Sequence, residues 1–92
     1  MYQETEESRE TTISKESFMV THPGGHVFMD DRITAHWDDD GVRYRVFNET
    51  LIAAMSTLLL TDSPVRIRVQ GRMRQNNAIG LKDMTVESWM TT

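Results

Sequence analysis

The chain has 92 residues, 38% of them hydrophobic, and a formal net charge of −4, which is the size of one domain with a modest core. It contains no cysteine, so disulfide staples, thiolate catalysis and cysteine-bound zinc or iron–sulfur centres are excluded. The longest apolar run, Leu51 to Leu60, is interrupted by Ser56 and Thr57 and falls far short of the roughly 20 residues that a membrane-spanning helix needs.

Residues 1–16 carry five glutamates against Arg9 and Lys15 and hold almost nothing apolar. A stretch of this composition cannot bury enough surface to offset its ordering entropy, so it reads as a disordered acidic tail ahead of a single domain at 17–92. Its start, Met1 to Glu10, lacks the basic and apolar regions of a secretory signal, which sets the expectation of a cytoplasmic protein, or a nuclear one in a eukaryote. The rest of the chain has nine acids against eight bases, so its local charge pattern decides what it attracts.

Strand-like alternation begins at Phe18 and Val20, breaks at His22-Pro23-Gly24-Gly25 and resumes through His26-Val27-Phe28-Met29, as one strand bent at two glycines or as two strands. From Arg32 to Phe47, Ile33, Ala35 and Trp37 share one face and Val42, Tyr44 and Val46 another, around Asp38-Asp39-Asp40-Gly41. That pattern predicts a β-hairpin with a tight Asp-Gly turn. Asn48 is a good helix N-cap, and Leu51, Ile52, Met55, Leu58 and Leu59 form one apolar stripe, predicting a helix over 49–60 that stops at Asp62-Ser63-Pro64.

Alternation then returns. Val65, Ile67, Val69 and Met73 face one way around Gly71, and Arg66, Arg68, Gln70, Arg72 and Arg74 face the other. After a Gln75-Asn76-Asn77 turn, Ile79 and Leu81 lie out of phase with Met84 and Val86, which predicts a β-bulge near Lys82-Asp83.

The element order is bent strand, hairpin, helix, two strands. It resembles the OB-fold, a five-stranded Greek-key barrel with one helix between strands three and four, found in many oligonucleotide- and oligosaccharide-binding proteins. The resemblance rests on element order over about residues 17–90 and on no residue motif. An α+β sandwich of hairpin, helix and hairpin fits the same string. The resemblance implies that strands two and three form the ligand face and that strand four pairs with strands one and five.

Arg43, Arg45, Arg66, Arg68, Arg72 and Arg74 are six of the ten basic residues, all at outward strand positions. Guanidinium forks bind phosphate in pairs and stack on bases, although arginine stems also cover strand exteriors for purely structural reasons. Under the OB-like reading Arg32, Thr34, His36, Arg43 and Arg45 lie on the ligand face. Arg72 and Arg74 reach it from the rim, and Arg66 and Arg68 do not. Phe47 shares parity with Arg43 and Arg45 and is the candidate stacking platform; Phe28 is a second exposed aromatic by pattern, and both also serve as barrel caps. The candidate nucleic-acid-binding set is therefore Arg32, His36, Arg43, Arg45, Phe47, Arg72 and Arg74.

No Gly-x-Ser-x-Gly elbow, phosphate-binding loop or dinucleotide fingerprint occurs, so the expectation is a non-enzyme with no cofactor. His22, His26 and His36 and the aspartates at 38–40 lack the spacing of a metal site. Two functions fit: a module for single-stranded DNA or RNA, or a protein-interaction module that meets an acidic surface or extends a β-edge. The acidic tail reads as solubilising, with competition for the arginines as its alternative role.

Overall fold

The structure is a computed structural model and describes residues 2–21 and 33–92. Its elements are β1 (Gln3–Ile13), β2 (Met19–Thr21), β3 (Thr34–Asp39), β4 (Val42–Val46), α1 (Glu49–Leu58), β5 (Val65–Asn76) and β6 (Leu81–Thr91). The strands form one six-stranded sheet in the order β1-β5-β6-β4-β3-β2. Every neighbouring pair is antiparallel except β4 and β6.

The hairpin forms as its sequence predicts. Asp40 and Gly41 both have positive φ, 52° and 77°, the two-residue turn whose twist matches that of the flanking strands. In α1 the Asn48 side chain accepts from the Leu51 amide at 3.1 Å, and Ile52, Met55 and Leu59 are buried. The helix thereby covers one end of a core built on Trp37, Tyr44, Ile67, Val69 and Met84. Trp37 and Tyr44 stack within it at 5.0 Å between ring centroids.

Four expectations are corrected. The sheet has six strands and is not closed into a five-stranded barrel; the hairpin, helix, hairpin order of the sandwich alternative is present, but with β1 and β2 added at the two edges of the same sheet. The segment read as a disordered acidic tail is strand β1, paired with β5 along its whole length. Its low hydrophobicity hid an alternation: Thr11 and Ile13 are buried, while Glu4, Glu6, Ser8, Glu10 and Thr12 face outward. The bulge falls opposite Gln70 and Gly71, where Gln70 pairs with Ser88 but Gly71 with Val86, leaving Glu87 as the extra residue. Ile79 is not in a strand; it lies exposed in the turn before β6.

Gly71 is required by close packing. A Cβ at this core-facing position would run into the carbonyl oxygen of Thr85 on β6, so only glycine lets β5 run this close to its neighbour.

A polar chain on the inner side draws β1 toward β3, although the two are not neighbours in the sheet. The Trp37 indole N–H donates to Thr11 Oγ1 at 3.1 Å, and the Thr11 hydroxyl donates to Asp39 Oδ2 at 2.8 Å. The Thr12 amide donates to the same oxygen at 3.2 Å. A satisfied chain of this kind fixes the curl of the sheet, because each buried group in it would otherwise be left without a partner.

Candidate functional site

Strand parity sends the apolar residues of β3, β4, β5 and β6 inward and their arginines outward, so the site is a stripe across the outer face. The pairing order places Thr34, His36 and Asp38 on β3 beside Arg43 and Arg45 on β4. Asp83 and Thr85 of β6 come next, and then Arg72 and Arg74 on β5. Two hollows open on this face. One, of about 90 Å³, is lined by Thr34, Ala35, His36, Arg43, Arg45 and Phe47. The other, of about 210 Å³, is lined by Glu4, Arg45, Phe47, Arg72, Arg74, Asp83 and Thr85. Arg45 and Phe47 belong to both, and Phe47 is 48% exposed.

Of the sequence-derived candidates, His36, Arg43, Arg45, Phe47, Arg72 and Arg74 are thus brought together. Arg32 lies outside the described residues, as do His22, His26 and Phe28. Arg66 and Arg68 sit farther along β5, where both bind Glu10, at 3.1 and 3.0 Å.

Most of these arginines already have an anionic partner. Arg43 holds the Asp38 opposite it through Nε–Oδ1 at 2.9 Å and Nη2–Oδ2 at 3.2 Å. This paired hydrogen bond pulls the Asp38 carboxyl below its ordinary range and pushes the Arg43 guanidinium up. Arg74 hydrogen-bonds Asp83 at 3.3 Å, which likewise pushes Arg74 up. Asp83 is buried, and a buried carboxylate without its cation is costly. Arg72 lies 3.7 Å from both Glu4 and Glu6.

Arg45 differs. It sits opposite His36 on one side and Thr85 on the other, and among the described residues it joins no ion pair. Among the described residues its Nε is buried with no hydrogen-bond partner, as is that of Arg74, so the missing ion pair is what sets Arg45 apart. Such a guanidinium, next to a half-exposed aromatic ring, can take an anion in its plane while the ring takes a flat or apolar group.

The sequence reading missed Asp83, Thr85 and Glu4. The phase break that brackets Asp83 was visible, but it was assigned to a bulge; the residue is buried on the arginine side of the sheet because Arg74 stands opposite it. Glu4 shares its parity with Glu6, Ser8, Glu10 and Thr12, opposite to that of Thr11 and Ile13, a faint signal of β1 that Glu7 interrupts.

Among the described residues no group of three or more His, Asp or Glu could hold a metal ion. No helix among them is long and apolar enough to cross a membrane. No protein-family model matches the chain, and neither curated proteins nor solved structures provide a match.

Proposed function

We propose that the chain is a non-catalytic module that binds single-stranded nucleic acid across the outer face of β3, β4, β6 and β5. The observation that carries this reading is the convergence of Arg45 and Phe47 on two adjoining hollows, flanked by His36, Arg43, Arg72 and Arg74. Arg45 supplies the phosphate contact and Phe47 the stacking surface, a pairing of the kind that single-strand binders use, with stacking worth about 1–3 kcal/mol per base.

The OB-like reading supports the same conclusion. Only residues 14–18 separate β1 from β2 in the chain, yet the two occupy opposite edges of the sheet. They fit the two halves of one interrupted first strand. On that assignment β5, paired with β1 and β6, is strand four between strands one and five, and β3 and β4 are the ligand-bearing strands two and three. Argument from fold to function is by analogy, so the weight rests on the side chains.

Fluorescence anisotropy with single-stranded DNA, single-stranded RNA and duplex at two salt concentrations tests the proposal. The expected result is single-strand binding with a shallow salt dependence, on the order of one to three phosphates, because most guanidiniums are already compensated. Absence of binding at low salt ends it.

The second reading is a protein-interaction module, favoured by the ion pairs themselves. An arginine and an aromatic ring ringed by compensated charges match the centre and rim of a protein interface. Capture of a specific partner that is lost in both Arg45→Glu and Phe47→Ala, without oligonucleotide binding, selects it.

A further inference from the structure

The two halves of β1 are held to the molecule very differently. In Arg9–Ile13, Thr11 and Ile13 are fully buried, Arg9 Nε donates to the Tyr44 hydroxyl at 3.3 Å, and Asp39 receives both the Thr11 hydroxyl and the Thr12 amide. In Gln3–Ser8 no residue is buried. Beyond the backbone ladder, its side-chain links to β5 among the described residues are the 3.7 Å approaches of Glu4 and Glu6 to Arg72, with all three side chains more than half exposed, and a long, exposed 3.4 Å hydrogen bond from Arg68 to the Ser8 hydroxyl at its hinge end. Tyr2, just ahead of it, lies beneath the Arg74 guanidinium at 4.7 Å. Exposed ion pairs of this sort stabilise by about 0–1 kcal/mol and are screened by salt, so this half opens at far lower cost than the other.

What it covers is the larger hollow. Glu4 lines that hollow together with Arg45, Arg72 and Arg74. Among the described residues the face has four guanidiniums, Arg43, Arg45, Arg72 and Arg74, and four carboxylates within their reach, Asp38, Asp83, Glu4 and Glu6. Half of those carboxylates therefore belong to the weakly held segment. With it in place these eight charges cancel; with it lifted two of the four guanidinium charges are left uncompensated by them.

We propose that the hollow bounded by Arg45, Arg72, Arg74 and Thr85 is a backbone-phosphate subsite, and that Gln3–Ser8 is its built-in cover, with Glu4 and Glu6 standing in for the phosphate until the strand hinges away at Ser8-Arg9. The cover presents carboxylates where the ligand presents phosphodiester oxygens, so one excludes the other. This inference rests on the nucleic-acid reading and adds to it a means of control: ligands that displace an acidic strand compete with it, and weak anions are turned away.

Two measurements on the full chain test it. In hydrogen exchange, the β5-bonded amides of Gln3–Ser8 should exchange at least about tenfold faster than those of Arg9–Ile13, and faster still in added salt; equal protection of the two halves overturns the cover. In anisotropy with an oligothymidylate, Glu4→Gln/Glu6→Gln should bind about tenfold tighter than the unmodified chain at low salt. Equal binding overturns the gating while leaving the nucleic-acid reading intact. Binding by neither chain overturns that reading and the subsite with it, and hydrogen exchange still decides the cover. A thermal melt of the double variant, repeated with Glu4→Gln alone, separates loss of charge from loss of fold.

Discussion

The outer face of β5 carries two arginines at each end, at the same alternating positions, and the two ends differ in almost everything except residue type. Arg66 and Arg68 share one carboxylate, Glu10, at 3.1 and 3.0 Å, and Glu10 sits next to Thr11, which the Trp37 and Asp39 hydrogen bonds hold in the core. Arg72 faces Glu4 and Glu6 at 3.7 Å on a stretch of strand with no buried side chain, and Arg74 leans on Asp83. An arginine's direction follows from strand parity, but its availability follows from how firmly its cross-strand partner is anchored. The first pair braces a strand; the second lines a hollow beside Arg45.

Gly71 separates the two ends, and the largest expected effect comes from placing a side chain there. In Gly71→Ala the new methyl meets the Thr85 carbonyl, which is backbone and cannot swing aside. A loss of about 3 kcal/mol or more is expected, read as a large fall in Tm by circular dichroism; a near-unchanged Tm would mean that β6 yields and that the close approach at Gly71 is not what holds the two strands in register. Next in size is Thr11→Val, which takes the acceptor from the Trp37 indole and the hydroxyl donor from Asp39. It should cost about 2 kcal/mol and should raise exchange in Arg9–Ile13 to the level of Gln3–Ser8, erasing the contrast between the two halves of β1.

A matched pair of neutralising substitutions sharpens the comparison without unfolding anything. Arg45→Gln should weaken oligonucleotide binding about tenfold while leaving stability within about 0.5 kcal/mol. Arg68→Gln should leave binding unchanged and lower stability by about 0.5 kcal/mol, since it removes one arm of an exposed pair. Isothermal binding and denaturant melts on the two variants give four numbers. The opposite pattern, with binding lost at Arg68, would move the ligand to the braced end.

The same contrast shows where the sequence is readable. The hairpin at 34–46, the capped helix and the inward set on β5 follow from strong local signals: an Asp-Gly turn, an Asn cap and β-branched alternation. The grouping of His36, Arg43, Arg45, Phe47, Arg72 and Arg74 was legible as well, because parity sets direction and element order sets adjacency. Strand β1 was not, since its stability is non-local. Glu4, Glu6 and Glu10 are strand residues through backbone pairing with β5, which sets them opposite Arg74, Arg72 and Arg68, and no property of residues 1–16 alone reports that partner. Ion pairing was hidden for the same reason. Counting arginines on a strand says how many charges point outward, whereas the compensation of Arg74 by Asp83 depends on a register that the displaced bulge at Glu87 helps to set.

Arg43 lies between the two extremes, and the smallest effect is expected there. Its partner Asp38 is on the same hairpin, opposite it across a two-residue turn, so the pair forms wherever the hairpin does. The hydrogen bond from Arg43 holds the Asp38 carboxyl below its ordinary range. A carboxyl that titrates lower in the folded than in the unfolded chain adds stability above its unfolded value, and that stability is lost as pH falls through the folded one. The loss should therefore appear only on the acid side, below the usual carboxylate range, and be slight because both side chains are about half exposed or more. Carboxyl-carbon NMR titration should find Asp38 below that range in the unmodified chain and back within it in Arg43→Gln. An Asp38 that titrates normally in both would mean that the pair is open in solution, which would place Arg43 beside Arg45 as a second uncompensated cation and steepen the salt dependence of binding by about one phosphate.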